Sequence, residues 1–438
     1  METVHAPIAT PENFSLTGNE ALPQKWWAAF DDPKLNTLID SALSANLNLA
    51  ATWEQFKVAT AIRRRQKSFL WPDIEAGSQN AFSRPEPDFA GGENVQLGLS
   101  AAYEIDLWGR IHSAAQAADF RMQATYYDYQ AAAISLSANI ASIYFQLITA
   151  TRQLEVANNQ IATNENSLRL IGARFVGGQI RAVDILRQRQ LLEDTRNQKL
   201  IYEADVALLN NQLAVLVGQP PQNMPAVSVD SLPKLPALPQ TGLPLELVRR
   251  RPDVVQAYNL VLAADRDMAE AVRNKYPRIS LSLSAQARSN NYADLFKEWA
   301  YTLAGNLVAP LLYGGRLRAE VDRTEALKNQ QLYVYGQTVL TAFREVEDAL
   351  INEQIQKERL IILARQLDLA ESTNGQLRLE FLNGLSDYLD VLLALDQEQQ
   401  LRRDFIDAQQ EQLEIRINMY RALAGSFEAN GTKEAVSQ

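Results

Sequence analysis

Residues 94–107 read NVQLGLSAAYEIDL, and apolar and polar side chains alternate along the whole stretch. The apolar positions are Val95, Leu97, Leu99, Ala101, Tyr103, Ile105 and Leu107. Strict period two predicts a strand with one apolar and one polar face. Such a strand suits a membrane barrel, with lipid on one side and a wet lumen on the other. It also suits a half-buried hairpin of a soluble protein, and the alternation alone leaves both open.

The pattern returns about two hundred residues later. An offset of 206 (316 − 110) places Leu107, Gly109 and Arg110 on Tyr313, Gly315 and Arg316. The same offset places Gly178 on Gly384 and Asp184 on Asp390. In the second copy Ile279, Leu281, Leu283, Ala285 and Ala287 alternate with Ser280, Ser282, Ser284, Gln286 and Arg288. Self-similarity at this length predicts a duplicated half-molecule rather than a solenoid repeat.

Long helical segments follow each pair of strands. From about Ser113 to Phe175 the sequence has no proline, which predicts a helix of roughly 95 Å. Apolar residues recur every seven positions at Leu147, Leu154, Ile161 and Leu168, at Ile185, Leu192, Val206 and Leu213, and at Leu385, Leu392, Ile406, Leu413 and Tyr420. Lys199 and Gln399 interrupt the last two series. Heptads sustained over this length predict helices packed as coiled coils.

These patterns divide the chain into five segments. We predict an extended N-terminal segment (1–25), a first repeat (26–218), a Pro-rich linker (219–251), a second repeat (252–425) and a C-terminal tail (426–438). The first repeat has short helices, strands at about 72–86 and 93–108 and long helices at about 113–175 and 182–217. The second has one helix, strands at about 277–290 and 298–312 and long helices at about 318–382 and 386–424. The linker is too rich in proline for a helix.

The predicted fold is α+β and depends on several chains. Four strands cannot close a barrel, and open sheet edges are not tolerated in lipid. Two chains give eight strands, whose interior is filled by side chains, whereas three chains give twelve strands and leave a lumen. We therefore predict a membrane β-barrel shared by three chains and continued into a long antiparallel α-helical barrel. Helices of this length exceed a bilayer of about 30 Å, so most of them must stand in water.

Composition excludes several classes of function. The net charge of −10 argues against nucleic-acid binding, and the lack of cysteine excludes disulfides and a Cys nucleophile. The two histidines, His5 and His112, lie far apart, and the acidic residues have no spacing typical of general acid–base pairs. We therefore predict no enzyme, no metal and no cofactor. No apolar run reaches eighteen residues and no signal peptide is present, so the chain is either cytoplasmic or a mature exported form.

Four motifs resemble those of outer-membrane factors of the TolC/OprM type, in the NodT branch. Residues 102–110, AYEIDLWGR, resemble the family's W-E-L-D-L-F-G-R, and residues 247–254, LVRRRPDV, resemble L-L-R-R-R-P-D-I. Residues 276–281, YPRISL, resemble F-F-P-S-I-S-L. Residues 26–35, WWAAFDDPKL, resemble the opening W-x-x-F-x-D-P-x-L. The resemblance covers about Trp26 to Gly425.

The resemblance implies a homotrimeric exit duct in the outer membrane of a Gram-negative bacterium. It implies a twelve-stranded barrel in outer-membrane lipid, a periplasmic helical tunnel, a periplasmic adaptor protein and an inner-membrane pump. The duct would export drugs or other small toxic molecules in a multidrug (RND- or MFS-type) or type I system. Many relatives begin with a lipid-modified cysteine. This chain has none, so either that residue was removed with the leader or this member is not lipid-anchored.

We predict the gate at the hairpin tips. Asp387 and Asp390 follow Gly384, Asp184 follows Gly178, and Asp390 matches the aspartate of the family's G-x-x-x-x-x-D tip motif. Threefold symmetry would turn such a residue into a ring of carboxylates that binds cations in a constriction. Alternatively, these aspartates only stabilise the first turn of a helix through its macrodipole. Arg181, Arg187 and Arg189 are candidates for inter-helix ion pairs that hold the gate shut, or they are solvated surface.

The remaining candidate residues have structural alternatives. Gly178 and Gly384 are predicted turn residues beside which an adaptor could dock. Trp71, Trp108 and Trp299 are candidates for aromatic girdles at the membrane interface, or they fill a core.

The competing interpretation is a periplasmic or cytoplasmic coiled-coil structural protein with a soluble sheet cap, for which solubility without detergent is the distinguishing property. A cell-wall hydrolase is disfavoured by the lack of a catalytic cluster. A plain porin is disfavoured because its chain would carry all the strands.

Overall fold

The structure is a computed structural model of the chain, and it describes residue 8 and residues 11–82, 93–223, 227, 232–289 and 292–425. The predicted C-terminal tail and the end of the first predicted strand, residues 83–86, lie outside the described residues. The Cα positions divide the chain into two compact units. The sheet unit consists mainly of Trp53–Asp128 and Asp253–Val339. The described residues of the helical unit lie within 11–52, 129–252 and 340–425.

The sheet unit is built on four antiparallel strands in the order β1-β2-β3-β4. Their bounds are β1 Asp73–Phe82, β2 Glu93–Ile105, β3 Arg278–Ser289 and β4 Trp299–Val308. Each repeat contributes one hairpin, and β2 pairs with β3 to join the two, so that Tyr103 lies opposite Leu281. Among the described strands, β1 and β4 each have one neighbour only. The sheet is therefore open at both edges.

The register places the alternating residues of all four strands on common faces. One cross-sheet row runs from Ala101 to Leu283 and on to Leu303, and the next runs from Ala102 to Ser282 and on to Ala304. The first row belongs to an apolar face and the second to a face of small and polar residues. Large side chains of the apolar face, including Ile74, Leu99, Leu283, Tyr301 and Leu303, are exposed in the single chain. A soluble sheet would bury such a face.

One end of the apolar face is covered by the chain itself. Val95 and Ala287 are buried together with Leu295, which lies in the connection between β3 and β4, and Leu97 packs against this cluster. The connection thus folds back onto the end of the sheet. The exposed apolar band is therefore shorter than the strands.

Eight α-helices occupy most of the described chain. They are α1 Pro33–Ala45, α2 Leu47–Ser68, α3 Arg110–Val176, α4 Ala182–Leu216, α5 Pro244–Arg250, α6 Pro252–Arg273, α7 Arg316–Leu382 and α8 Tyr388–Leu423. A short 3-10 helix, Trp26–Phe30, precedes α1. Helices α3 and α7 each have 67 residues, which corresponds to about 100 Å. An 18-residue stretch of α3 is long and apolar enough to cross a membrane, but 61 % of it is buried within the chain.

The helices differ from the sequence prediction at two places. Helix α3 begins at Arg110 rather than about Ser113 because the Asp106 side chain accepts hydrogen bonds from the backbone N–H groups of Ile111 (3.1 Å) and His112 (2.8 Å). The linker is not free of helix, because α5 lies at its end. There proline stands at the start of the helix and Glu246 accepts the N–H of Leu243, both of which favour a helix N-terminus. The prediction of no helix in the linker was wrong on this point.

Ion pairs join α3 to a strand and to neighbouring helices within the sheet unit. Arg110, the first residue of α3, donates to Glu104 of β2 (Nη2–Oε1, 2.9 Å) and lies 3.7 Å from Glu270 of α6. Lys67 of α2 pairs with Asp119 of α3 at 3.0 Å, and Arg63 pairs with the same carboxylate. The arginine of the 102–110 motif therefore connects strand to helix.

Candidate functional site

The candidate site is the pair of hairpin tips in the helical unit. At the first tip α3 ends at Val176 and Gly178 adopts φ +70°. The N–H of Gly178 donates to Phe175 O (2.9 Å) and that of Gln179 to Arg174 O (2.9 Å), the paired bonds of a Schellman cap. Glycine is needed because an L side chain is strained at this φ.

The second tip repeats the same geometry. Helix α7 ends at Leu382, Gly384 has φ +77°, and the N–H groups of Gly384 and Leu385 donate to Phe381 O (3.1 Å) and Glu380 O (2.8 Å). The structure therefore places Gly178 and Gly384 at equivalent turns, as the sequence predicts. That an adaptor docks beside them stays a prediction.

The two tips are held side by side. The guanidinium of Arg174 donates to Phe381 O (Nη1, 3.2 Å) and Leu382 O (Nη2, 3.1 Å) and lies 4.7 Å from the centroid of the Phe381 ring. A buried apolar cluster joins the ends of the helices: Ile171, Phe381, Tyr388, Val391 and Leu392. Because Arg174 of one tip contacts the backbone of the other, the two turns lie at one level.

A layer of buried polar side chains follows the apolar cluster. Tyr388 Oη donates to Gln188 Oε1 (2.6 Å), and Gln188 Nε2 donates to Asn164 O (3.2 Å). Asn164 Nδ2 donates to Thr195 Oγ1 (2.9 Å), and Gln399 Nε2 donates to Asn164 Oδ1 (3.3 Å). Burial raises the pKa of Tyr388, and the charge of Asp184 adds to that, so the hydroxyl stays protonated and donating. The layer connects α3, α4 and α8.

Sequence reasoning missed this layer, although one signal for it was visible. Gln399 stands at a heptad position between Leu392 and Ile406, where an apolar residue is expected. A polar residue at such a position often fixes the register of packed helices. Lys199, the other interruption, does not belong to the layer and instead pairs with Glu203 at 3.5 Å.

Asp184 is buried and neutralised within its own chain. Its side chain accepts hydrogen bonds from Arg181 Nε (3.1 Å) and Nη2 (3.2 Å), and Arg187 Nη1 lies 3.8 Å away. The residue is 4 % exposed. The hydrogen bond with Asp184 raises the pKa of Arg181, and the charge of Asp387 adds to it. We therefore leave Asp184 out of the constriction proposed below.

The ion pairs of Arg181 and Arg187 run along one helix rather than between helices. Both join residues three positions apart in sequence. Arg189 is exposed and forms no ion pair with any residue in the described ranges. The inter-helix pairs predicted for these three arginines stay a prediction, to which a neighbouring chain would have to contribute.

Asp387 and Asp390 are exposed at the second tip. Asp387 is the N-cap residue of α8 but its side chain accepts no capping hydrogen bond, and Asp390 lies in the first turn. Within the described part of the chain neither carboxylate has an ion-pair partner. Exposed carboxylates without an ion-pair partner are what a cation-binding constriction requires. Across the described residues, no group of three His, Asp or Glu side chains could hold a metal ion.

The three candidate interface tryptophans lie at the two ends of the sheet. Trp71 precedes β1 by two residues and is exposed, and Trp108 follows β2 by three residues. The Trp108 ring lies 5.2 Å from that of Tyr276, and its Nε1 donates to Pro277 O (2.8 Å). Trp299 begins β4 at the opposite end, 6.5 Å from Phe296 between ring centroids. Aromatic residues at both ends of an apolar face are typical of membrane barrels. Their contact with lipid stays a prediction.

Comparison with known proteins gives a consistent result across the whole chain. A family model described as outer membrane efflux protein matches residues 38–219 and 243–425. The pyoverdine export outer membrane protein OpmQ of Pseudomonas aeruginosa is 29% identical over 429 residues, which covers 93% of this chain and 88% of OpmQ. The toluene efflux pump outer membrane protein TtgF of Pseudomonas putida is 30% identical over 432 residues, with 94% and 88% covered.

Solved structures are similar over the same length. The outer-membrane channel OprN superposes with a TM-score of 0.90 at 25% identity, covering 96% of this chain and 98% of OprN. CusC superposes with a TM-score of 0.86 at 26% identity, covering 95% and 97%. The predicted α+β class, with a four-stranded sheet and long helices, is confirmed. The interpretation as a soluble structural protein is not favoured.

Proposed function

The chain belongs to the outer membrane efflux protein family, and from that premise we propose that three copies form one exit duct. The resemblance inferred from the four sequence motifs is confirmed. The protein acts in the outer membrane of a Gram-negative bacterium as the last passage of an efflux system. A passage performs no bond chemistry, so we propose no enzymatic activity.

The trimer is supported by the open sheet, which has one apolar face and one face of small and polar residues. The free edges of β1 and β4 must pair with something before the sheet enters lipid, because an unpaired backbone group in hydrocarbon costs several kcal/mol. Pairing β4 of one chain with β1 of the next leaves no edge. Three chains give twelve strands, with the exposed apolar face toward lipid and the serine-rich face of β3 toward water.

We place the constriction at the second tip. In a threefold assembly Asp387 and Asp390 each occur three times around one axis, which brings six carboxylates to the level of Gly384. Rings of carboxylates bind and concentrate cations in channels. The exposure of both side chains and their lack of partners in the described chain support this assignment.

An exit duct in the outer membrane needs other proteins to deliver its cargo. OpmQ and TtgF carry pyoverdine export and toluene efflux in their names, so small molecules are the cargo class of these relatives. We propose that an inner-membrane pump and a periplasmic adaptor deliver small toxic molecules to this chain, with the adaptor docking at the tips beside Gly178 and Gly384. Trp71, Trp108 and Trp299 would contact outer-membrane lipid.

Native mass spectrometry of the detergent-purified protein tests the assembly. We expect a complex of three chains of 49.0 kDa each that precipitates or dissociates when detergent is removed. A stable monomer, soluble without detergent, would leave four strands unclosed and would favour the structural coiled-coil interpretation instead.

A further inference from the structure

A cavity of about 370 Å³ lies in the sheet unit between α3, α6 and α7. The apolar part of its lining is formed by Ala264 and Ala271 of α6 and Leu327 of α7. The polar part includes Glu270 and Asn274 of α6. Ligand pockets in proteins measure roughly 300–1,000 Å³ and combine apolar walls with a few converging polar groups. This cavity, which we call the wall pocket, has that size and that combination.

Two contacts place the wall pocket on the polar side of the sheet. Glu104 of β2 and Arg278 of β3 belong to the face of small and polar residues, as the register of the two strands shows. Arg110 donates to Glu104 and lies 3.7 Å from Glu270. Arg278 Nη2 donates to Asn274 Oδ1 at 3.0 Å. In the trimer of the proposed function this face lines the duct, so the wall pocket faces the lumen next to the strands.

The lining of the wall pocket carries more negative than positive charge. It contains three carboxylates and two guanidinium groups: Asp267, Glu270 and Glu320, and Arg121 and Arg323. Arg121 pairs with Asp267, and Arg323 donates to both oxygens of Glu320 (2.9 and 2.6 Å). Glu270 is therefore the carboxylate that the guanidinium groups of the lining leave over. A cationic solute would compensate this charge, whereas an anionic solute would meet cations that are already paired.

Glu270 has only one long ion pair within the chain itself. Among the described residues it accepts no hydrogen bond, and its ion pair with Arg110 is 3.7 Å long. Arg110 is shared, because it also donates to Glu104 from Nη2 (2.9 Å) and Nε (3.2 Å). Burial raises the pKa of Glu270 above its ordinary value, although nearby arginines act against this rise. A partly buried carboxylate with a raised pKa in a pocket is a candidate binding group, and a bound donor would supply its missing hydrogen bonds.

We propose that the wall pocket binds small organic cations, with the ammonium group at Glu270 and the apolar part against Ala271 and Leu327. The proposal rests on the exit duct of the proposed function and names one chemical class of its cargo. A threefold assembly has three such pockets around the lumen. Because each pocket is open to water, the bound cation leaves again, as passage through a channel requires.

Fluorescence titration with dansyl ethylenediamine, a small aromatic sulfonamide with one protonated amine, tests the site on the full-length protein in detergent. We expect saturable binding above the signal of empty micelles. Dansyl amide, which has no charge, and dansyl glycine, which is anionic, should bind at least roughly tenfold more weakly, because neither forms the charged hydrogen bond with the carboxylate.

Glu270→Gln is the informative variant, because it keeps the size of the side chain and removes its charge. It should weaken binding of dansyl ethylenediamine roughly tenfold and leave binding of dansyl amide unchanged. Glu325→Gln is the matched control. It removes an exposed carboxylate of α7 that does not line the pocket, so the affinity for the cation should stay that of the parent protein.

The outcomes separate the wall pocket from the duct. A complex of three chains that binds the cation no better than the anion, or equally well after Glu270→Gln, would overturn the wall pocket and leave the proposed function intact. The pocket is formed by helices of one chain, so binding can be measured in any oligomeric state. A monomer that binds the cation through Glu270 would overturn the duct and support the pocket as a cation site.

Thiol labelling provides a second measurement that does not depend on a detergent background, since the chain has no cysteine of its own. In Leu327→Cys the thiol lies in the lining, and in Asn329→Cys it lies on the same helix outside the lining. We would compare cationic 2-aminoethyl methanethiosulfonate with anionic 2-sulfonatoethyl methanethiosulfonate. The ratio of the two labelling rates should be roughly tenfold higher for Leu327→Cys, because the pocket concentrates cations. Equal ratios at the two positions, or a ratio that Glu270→Gln does not lower, would contradict the proposal.

Discussion

The two hairpin tips share one backbone turn and differ in the charge of the residue that precedes the following helix. Arg181 and Asp387 are equivalent positions of the two repeats (387 − 181 = 206), and each is the N-cap residue of the helix that follows its tip. Asp184 and Asp390 are also equivalent (390 − 184 = 206). In the first tip the N-cap arginine donates to the aspartate three residues later. In the second tip the N-cap residue is itself acidic, so Asp390 receives no such bond.

The difference between the tips lies in their side chains and not in the geometry of the turns. The turn, its glycine and its Schellman bonds are the same in both tips, so the backbone does not distinguish them. With arginine at the N-cap, the carboxylate three residues later is paired; with aspartate there, that carboxylate has no ion-pair partner among the described residues. We infer that the first tip serves structure and the second presents charge. The predictions below test that division, from the largest effect to the smallest.

The largest effect is expected from Asp184. The Asp184→Asn variant loses two charge-assisted hydrogen bonds at a buried site and should destabilise the first tip by about 1–3 kcal/mol. The equivalent Asp390→Asn should change the stability of the second tip by less than about 0.5 kcal/mol, as exposed substitutions usually do. Hydrogen exchange of the amides in residues 179–190 and 385–396 of the trimer measures both. Equal losses of stability in the two variants would contradict the proposed difference between the tips.

The next effect concerns the link between the tips. Tyr388→Phe removes the hydroxyl that donates to Gln188 and leaves a buried acceptor unsatisfied. We expect faster exchange at the start of both α4 and α8, equivalent to about 1–2 kcal/mol. The control is Tyr333→Phe, whose ring is exposed on α7 and whose loss of a hydroxyl should have no measurable effect. If only α8 responds, the layer does not couple the two hairpins.

Because the two turns have the same backbone conformation, we expect the same substitution to cost the same free energy at each. Gly178→Ala and Gly384→Ala each place a Cβ at positive φ and should cost about 1 kcal/mol. The matched controls are Gly172→Ala and Gly375→Ala, which lie inside α3 and α7 with open space around the added Cβ. These should stabilise their helices by about 0.5–1 kcal/mol. Unequal costs at the two turns would mean that the tips differ in backbone as well as in charge.

We expect a smaller difference in stability between the first turns of α3 and α7. Asp106 caps α3, and its equivalent before α7 is Leu312 (312 − 106 = 206). Burial alone would raise the pKa of Asp106, but the hydrogen bonds from His112 and Ile111 outweigh it, so the pKa lies below its ordinary value of 3.8. A lowered pKa means that the ionised cap stabilises the fold at neutral pH and that this stability is lost as the pH falls below that value.

The Asp106→Asn variant measures this contribution. It should lose about 0.5–1 kcal/mol at the start of α3 at pH 7 and should lose the acid dependence of exchange there. Leu312→Ala should leave the pH dependence of α7 unchanged. An Asp106→Asn variant with the acid sensitivity of the parent chain would show that another group titrates there.

The periodic parts of the fold could be predicted from the sequence because they repeat locally. The alternation at 94–107 and the heptads after Ser113 identified strands and long helices, and the 206-residue offset identified the duplication. Helix α5 was missed because its proline, Pro244, stands at the first position of the helix, where proline favours a helix rather than breaking it. The end of the apolar face covered by Leu295 was missed because nothing in the alternation indicates that a connection folds back.

The site could be predicted only in outline. The sequence pointed to all three aspartates at the tips but could not separate them, because burial depends on which way each helix faces. Arg181 three residues before Asp184 was the available signal for that ion pair. The polar layer was visible only as Gln399 in a heptad, since its partners Asn164 and Gln188 come from other helices.

Single-channel conductance in planar bilayers tests the division between the tips most directly. Titrating divalent and then trivalent cations on the side that the tips face should reduce the conductance of the parent protein, because cations occupy the carboxylate ring. The Asp387→Asn/Asp390→Asn double variant should lose this block, and Asp184→Asn should keep it. A double variant whose conductance equals that of the parent at every cation concentration would contradict the account.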